Sequence, residues 1–316
     1  MQLRGAGASR PRPTDRAVAQ VIAWYGQNLR DLPWRGADRS PWEVLVSEVM
    51  LQQTPVDRVE PTWREWMLRW PQPADLAVAP PADVIRAWGR LGYPRRALWL
   101  RSAAVDIVEV HNGEVPEDLD QLRQLPGIGE YTAAAVAVFA FGGRHAVLDT
   151  NVRRVHARWL DGKEFPGASS ITAAERARAC DILPESAPEA ATWSVAVMEL
   201  GSLVCSARKA PQCHRCPLQP ECLWAAQGYP AAERRPRVQA RFAGSDRQAR
   251  GAIMALLRES ATAVDPAELA SAWAPQAQRQ RAVQSLIRDG LLQKCRDGYR
   301  LPGSAPSDEG RPPHSY

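Results

Sequence analysis

The sequence predicts a mainly α-helical protein with a cysteine-rich metal loop and a small carboxy-terminal module. Helix-start signals recur along the chain, and no sustained alternation of apolar and polar residues precedes the carboxy terminus. Four of the six cysteines fall in one short segment, at Cys205, Cys213, Cys216 and Cys222. A single hairpin signal, Arg296-Asp297-Gly298, stands near the end.

Each element follows from its residues. Asp15 to Arg30 reads as one amphipathic helix. Ser40-Pro41-Trp42-Glu43 joins a capping serine, proline at the first helical position and glutamate at the third, so a helix starts there and runs to about Gln52. Thr54-Pro55-Val56-Asp57 repeats that signal, which leaves Gln52 and Gln53 at a tight helix–helix junction. Further helices follow at Asp75–Ala79, Ala82–Gly89, Arg95–His111 and Leu119–Gln124. Tyr131–Phe141 is apolar all round, as a buried helix would be. Asn151–Leu160, Ala173–Leu183 and Ala190–Leu203 continue the pattern.

Residues 230–245 read as a Pro/Arg-rich linker. Helices at Asp246–Ser260, Pro266–Ala272 and Arg279–Asp289, then strands at Leu291–Lys294 and Gly298–Leu301, give a winged-helix-like module over 246–302. That module reads either as extra DNA contact through Arg288, Lys294, Arg296 and Arg300 or as a packing module with a solvated basic face. Residues 1–14 and 303–316 read as disordered tails, the first lacking the apolar core of a signal peptide. At 316 residues the chain has room for two or three domains. No apolar run approaches the ~20 residues of a membrane helix. These features point to a reducing cytosol, and nothing in them suggests an obligate oligomer. The net charge of +5 is compatible with nucleic acid without requiring it.

Four thiolates this close can enclose a tetrahedral zinc or an iron–sulfur cluster, and spacing alone does not separate the two. Disulfides are disfavoured without a secretory signal. Leu125-Pro126-Gly127-Ile128-Gly129 lies between two helices. Its glycines permit a turn whose backbone amides hold a phosphate, or simply join the helices. Glu48 is the only charged residue from Val44 to Leu51. A carboxyl there should have a raised pKa and could serve as a general acid, or it could be a buried glutamate paired with an arginine. Asp149 opens a helix at Asp149-Thr150-Asn151. It reads as an N-cap or as a carboxylate aimed into a cleft and kept ionised by nearby positive charge.

Ser47-Glu48-Val49-Met50-Leu51-Gln52-Gln53-Thr54, the Leu125–Gly129 turn, Asp149-Thr150-Asn151-Val152-Arg153-Arg154-Val155 and the four cysteines occur in this order. Together they resemble the helix–hairpin–helix DNA glycosylases with an iron–sulfur cluster, and within them the MutY-type adenine glycosylases. The resemblance spans about Ala17 to Trp224. It implies two helical lobes with a DNA-binding cleft, over 15–229. A six-helix lobe would cover about 35–145, and the amino-terminal helix with 146–225 would form the cluster lobe. It favours a [4Fe–4S] cluster on Cys205, Cys213, Cys216 and Cys222. Tyr131 stands where the endonuclease III branch places a lysine, and no lysine lies between Met1 and Thr150. Schiff-base lyase chemistry is therefore disfavoured.

What the resemblance implies is monofunctional excision of adenine mispaired with 8-oxoguanine or guanine in duplex DNA. Glu48 would protonate the base and Asp149 would stabilise the sugar cation, with Asn151 and Tyr131 orienting them. Gln53, beside Gln52, would wedge into the duplex, and Gly127 and Gly129 would hold backbone phosphate. Leu32, Trp34, Arg35, Val56 and Glu199 match pocket positions; Trp34 and Val56 also suit core packing. Tyr93 matches one of a tyrosine pair. Three departures stand out. The first cysteine gap is seven residues where the family usually has six, Pro94 replaces the second tyrosine, and the carboxy-terminal segment is too short for the Nudix-like domain many members carry. The alternatives are a mismatch glycosylase with another base preference, or a non-catalytic iron–sulfur protein that binds DNA damage.

Overall fold

The computed structural model describes residues 13–36, 38–207, 209–232 and 241–304. Its helices are α1 (Pro13–Asn28), α2 (Pro41–Leu51), α3 (Val56–Arg69), α4 (Pro73–Ala77), α5 (Pro81–Trp88), α6 (Arg95–Val110), α7 (Leu119–Gln124) and α8 (Glu130–Phe139). They continue with α9 (Thr150–Asp161), α10 (Ala173–Ile182), α11 (Ala187–Leu203), α12 (Leu223–Ala226), α13 (Asp246–Glu259), α14 (Pro266–Ala272) and α15 (Gln276–Arg288). Strands β1 (Gln293–Cys295) and β2 (Gly298–Arg300) pair antiparallel. The fold is therefore mainly helical, as expected. Most of the two expected tails and the middle of the expected linker lie outside the described residues.

Local chemistry explains the helix starts. At α2, Ser40 Oγ accepts from the Glu43 amide at 3.3 Å, and the Glu43 carboxylate accepts from the Ser40 amide at 2.8 Å. The same reciprocal box, from Thr172 and Glu175, opens α10. The signal at Thr54 is different. Pro55 is the N-cap of α3, and the Thr54 hydroxyl instead lies 3.2 Å from the Leu91 carbonyl. The hydroxyl donates to carbonyls, Leu91 and Gln52, instead of accepting from the first turn of α3.

The chain divides into two compact units. One carries α1 and α8–α12. Its core joins Val18 and Val21 of α1 to Val155 and Trp159 of α9 and to Trp193, Val197 and Leu200 of α11. The other carries α2–α6, nearly all of α7, α13–α15 and the hairpin. Trp66 packs edge-on against Trp70 and Trp88, with ring centroids 4.8 and 5.4 Å apart. The buried indoles find carbonyl partners: Trp42 donates to Trp70, Trp63 to Glu43, Trp66 to Ala87 and Trp88 to Gly92.

The carboxy-terminal helices share a core with this second unit. Ala82 and Ile85 of α5 are buried with Ile253, Leu257, Leu286 and Leu291. Gly298 is not the hairpin turn itself but the first residue of β2, opposite Cys295. Tyr299 exchanges backbone hydrogen bonds with Val264, and a Cβ on Gly298 would meet the Val264 carbonyl oxygen at 2.2 Å. Glycine is needed there for close approach of two backbones. Among the described residues, no helix is long and apolar enough to cross a membrane.

One buried group gives the first unit a pH dependence. His156 is 4% exposed and stacks with Trp193, ring centroids 6.5 Å apart. Burial, helped by the Arg178 charge, lowers its pKa from 6.5 to about 4. The unfolded chain therefore binds more protons than the folded chain within that window. Stability falls as pH drops through it, by on the order of 3 kcal/mol once the lower end is reached. Urea unfolding at neutral and mildly acidic pH should show this loss in the parent and a much smaller one in His156→Gln; equal losses would contradict it.

Candidate functional site

In the second unit, Glu48 lies on α2, where every residue from Trp42 to Met50 except Glu43 is buried. Its own exposure is 6%. The helix ends at Gln52, and Gln53 adopts a left-handed conformation, φ 56°. Tyr93 does the same at φ 45°. Two exposed, non-glycine side chains are thus held in a backbone region that L-residues adopt at a cost of about 1–3 kcal/mol. Val56 opens α3 and is half-buried.

Arg96 fixes both of these loops. It is 4% exposed, and its guanidinium donates to the carbonyls of Val49, Gln52 and Gly92 at 2.7, 2.7 and 3.1 Å and to the Thr54 hydroxyl at 3.0 Å. The orphan carbonyls at the end of α2 are therefore satisfied by a side chain from α6. Burial lowers the Arg96 pKa to about 10, so it remains charged at neutral pH. The sequence reading missed Arg96, since nothing local distinguishes it from Arg95.

The Leu125–Gly129 turn seats Gly127 directly on Trp99. Gly127 has φ 76°, and a Cβ there would meet the Trp99 Cβ at 2.7 Å. Gly129 is different. It is extended, with φ −89°, forms the N-cap of α8 and has open space where a Cβ would point. Only Gly127 is conformationally required, and Gly129 keeps the helix N-terminus uncluttered.

In the first unit, Asp149 is the N-cap of α9. One carboxylate oxygen accepts from the Val152 amide at 2.7 Å, and the other accepts from Asn151 Nδ2 at 2.6 Å. Burial pushes its carboxyl above the ordinary range, although these hydrogen bonds and the Arg154 charge pull the other way. The expectation that positive surroundings dominate is thus corrected: desolvation is the larger effect. Tyr131 lies at the start of α8, packed against the cluster formed by Ala134, Ala135, Val138 and Val147.

Asn151 is tied in turn to the cysteine loop. Its Oδ1 accepts from Arg154 Nη2 at 2.9 Å. Arg154 also donates to the carbonyls of Gly201 at 2.6 Å and Cys205 at 2.7 Å. A Cβ on Gly201 would meet the Asn151 Cβ at 2.7 Å, so α11 approaches α9 this closely only through glycine. Glu199, fully buried on the same α11, binds Arg30 through both oxygens, the shortest contact 2.5 Å, and Arg35 at 2.6 Å. Burial alone would raise its pKa, but the hydrogen bonds of Arg30 and the charge of Arg35 hold it below the usual range. Leu32 and Trp34 are buried in the short turn between the two arginines. The third member, Arg30, carries no spacing signal that would have marked it.

Cys205, Cys213, Cys216 and Cys222 line one cavity together with Arg158, Val204 and Trp224. Among the described residues no three Cys, His, Asp or Glu side chains converge closely enough to hold a single metal ion. Arg158 lies 3.3 Å from the Cys205 sulfur and stacks over Trp224 at 4.5 Å. Burial raises the pKa values of Cys213 and Cys222 and pushes Cys216 up to about 12. All three shifts favour the protonated thiol.

A profile described as HhH-GPD superfamily base excision DNA repair protein matches residues 46–178. An adenine DNA glycosylase of Mycobacterium tuberculosis (strain CDC 1551 / Oshkosh) is 49% identical over 295 residues, covering 92% of this chain and 95% of its own length. The chain belongs to the adenine DNA glycosylase family. A second member, from Mycolicibacterium smegmatis, is 47% identical over 93% of this chain and 98% of its own. The solved structure of a thermostable thymine-DNA glycosylase superposes with a TM-score of 0.60 at 25% identity, over 66% of this chain and 95% of that one. Because these two matches cover more than nine-tenths of the chain, the carboxy-terminal helices also have counterparts in the family.

In this family member, Arg154→Leu should leave the Gly201 carbonyl without its side-chain donor and the Cys205 carbonyl with Arg158 alone, at 3.3 Å. A loss of about 3 kcal/mol in urea unfolding is expected. Parental stability in the variant would show that the guanidinium link is dispensable.

Proposed function

We propose that the protein excises adenine mispaired with 8-oxoguanine or guanine in duplex DNA, without cutting the strand. The observation that carries this reading is a pair of carboxylates in contrasting settings, Glu48 inside an apolar helix and Asp149 at a helix N-terminus, in a chain of this family. Adenine must leave the base stack before its sugar bond can be reached. Gln53, with Gln52 behind it and Tyr93 nearby in the same unit, would occupy the space left in the duplex. Their left-handed backbones, pinned by Arg96, support a preorganised wedge.

Glu48 would then deliver a proton to the adenine ring so that the base departs neutral. Asp149 would stabilise the cationic sugar that remains, and water would complete the hydrolysis. Asn151, held by Arg154, fixes the Asp149 carboxylate, and Tyr131 would border the reacting sugar in place of an amine nucleophile. Leu32, Trp34, Arg35 and Glu199 of the first unit, and Val56 of the second, would each contact the base. The paired charges of Arg35 and Glu199 support a positioning part for those two, because each already satisfies the other. Gly127 and Gly129 would present backbone amides to phosphate.

The four cysteines would hold a [4Fe–4S] cluster. A cavity lined by all four cysteines gives such a centre its ligands. When bound, the cluster would cross-link the loop that presents the Cys205 carbonyl to Arg154. The enzyme would act as a monomer in the cytoplasm, at the nucleoid.

Glu48→Gln and Asp149→Asn should each slow single-turnover adenine release by about 10²–10⁴-fold while leaving duplex binding nearly intact. Parental rates in both variants would exclude the two-carboxylate mechanism.

A further inference from the structure

The carboxy-terminal helices are joined to the hairpin side of the second unit by a short chain of contacts along α6. Gly127 of the Leu125–Gly129 turn rests on Trp99. One helical turn earlier, Arg95 stacks over the Trp99 ring at 5.0 Å and pairs with Asp289 at 3.5 Å. Leu98, between them, packs into the core of the carboxy-terminal helices, and a Cβ on Gly290 would lie 3.9 Å from it. The end of α15 and the candidate phosphate turn therefore share one stretch of α6.

The charges of this region are divided unevenly. Asp289 is held by Arg250 at 2.6 Å as well as by Arg95, and Asp246 by Arg281 at 3.1 Å. Arg279 is spent on the carbonyls of Trp273 and Ala274. Asp265 and Glu268 close the capping box of α14. Three cations are exposed and without a hydrogen-bond or salt-bridge partner among the described residues, Arg288 at the end of α15 and Lys294 and Arg296 on the β1–β2 hairpin, against two exposed carboxylates, Glu259 and Asp297. Arg300, by contrast, is partly buried. Unpartnered cations on a module that packs against α6, the helix on which the candidate phosphate turn also rests, fit a polyanion with repeated phosphates.

We infer that the carboxy-terminal helices and hairpin extend the duplex-binding surface, with Arg288, Lys294 and Arg296 contacting DNA phosphates next to those taken by the Leu125–Gly129 turn. This rests on duplex DNA being the substrate, but not on which base is removed. Such contacts carry no sequence information. They add affinity and salt dependence and leave the chemical step alone.

The test uses the full chain with Arg288→Ala, Lys294→Ala and Arg296→Ala combined, bound to a long undamaged duplex across a series of salt concentrations. Fluorescence anisotropy should show affinity on the order of tenfold weaker at moderate salt, and a plot of log affinity against log salt shallower by about 2–3 units, close to 0.9 per lost phosphate contact. Single-turnover excision at saturating enzyme should be unchanged. A variant exchanging only arginine for lysine and lysine for arginine at these positions should keep most of the salt slope. Parental affinity and slope in the triple alanine variant would overturn the inference. Because the probe is undamaged, the result stands or falls apart from whether any adenine is released.

Discussion

The buried guanidinium of Arg154 is the interaction on which the first unit depends. It is 7% exposed and joins the Asn151 carboxamide, on its own helix, to the distant carbonyls of Gly201 and Cys205. One end of this arrangement fixes Asn151, and through it the Asp149 carboxylate. The other end fixes the backbone at Cys205, where the cysteine loop leaves α11. A charge this deep is tolerated because its donors are met by oxygens and Asp149 lies close by. The geometry also requires Gly201, since any larger residue would push Asn151 away. The candidate reacting carboxylate and the candidate cluster loop are thereby parts of one rigid body.

Arg96 plays the matching part in the second unit. It draws the end of α2 and the Gly92 loop onto one guanidinium, and both loops carry a residue with a left-handed backbone, Gln53 and Tyr93. Strain of this kind persists only where the surroundings over-determine it, and Arg96 supplies that determination. Each unit thus has a buried arginine that converts the end of a helix into a fixed platform for exposed functional side chains. Glu199 with Arg30 and Arg35 repeats the theme for the turn that holds Leu32 and Trp34.

Much of this was legible in the residues. Ser40-Pro41-Trp42-Glu43 announced α2 because its cap is made within four residues, and the apolar run after Tyr131 announced a buried helix for the same local reason. The cysteine spacing announced one site. What stayed hidden was long-range. Thr54 carries a capping pattern but turns to Leu91. Gly298 looked like a turn residue, but its need for glycine comes from Val264, far away in the chain. Arg30 and Arg96 stand among many arginines, and only the fold selects them. The direction of the Asp149 shift also depended on enclosure, which sequence does not disclose.

The account joins these platforms into one claim: an enzyme of this family that removes adenine with two carboxylates and no lysine. The most direct measurement is the release of free base by the parent protein from duplexes carrying adenine opposite 8-oxoguanine, adenine opposite guanine, and thymine opposite guanine, followed by heat and alkali. The account predicts adenine release from the first two duplexes, with strands that stay intact until the alkaline step. Release of thymine alone, or strand cleavage before alkali, would contradict it.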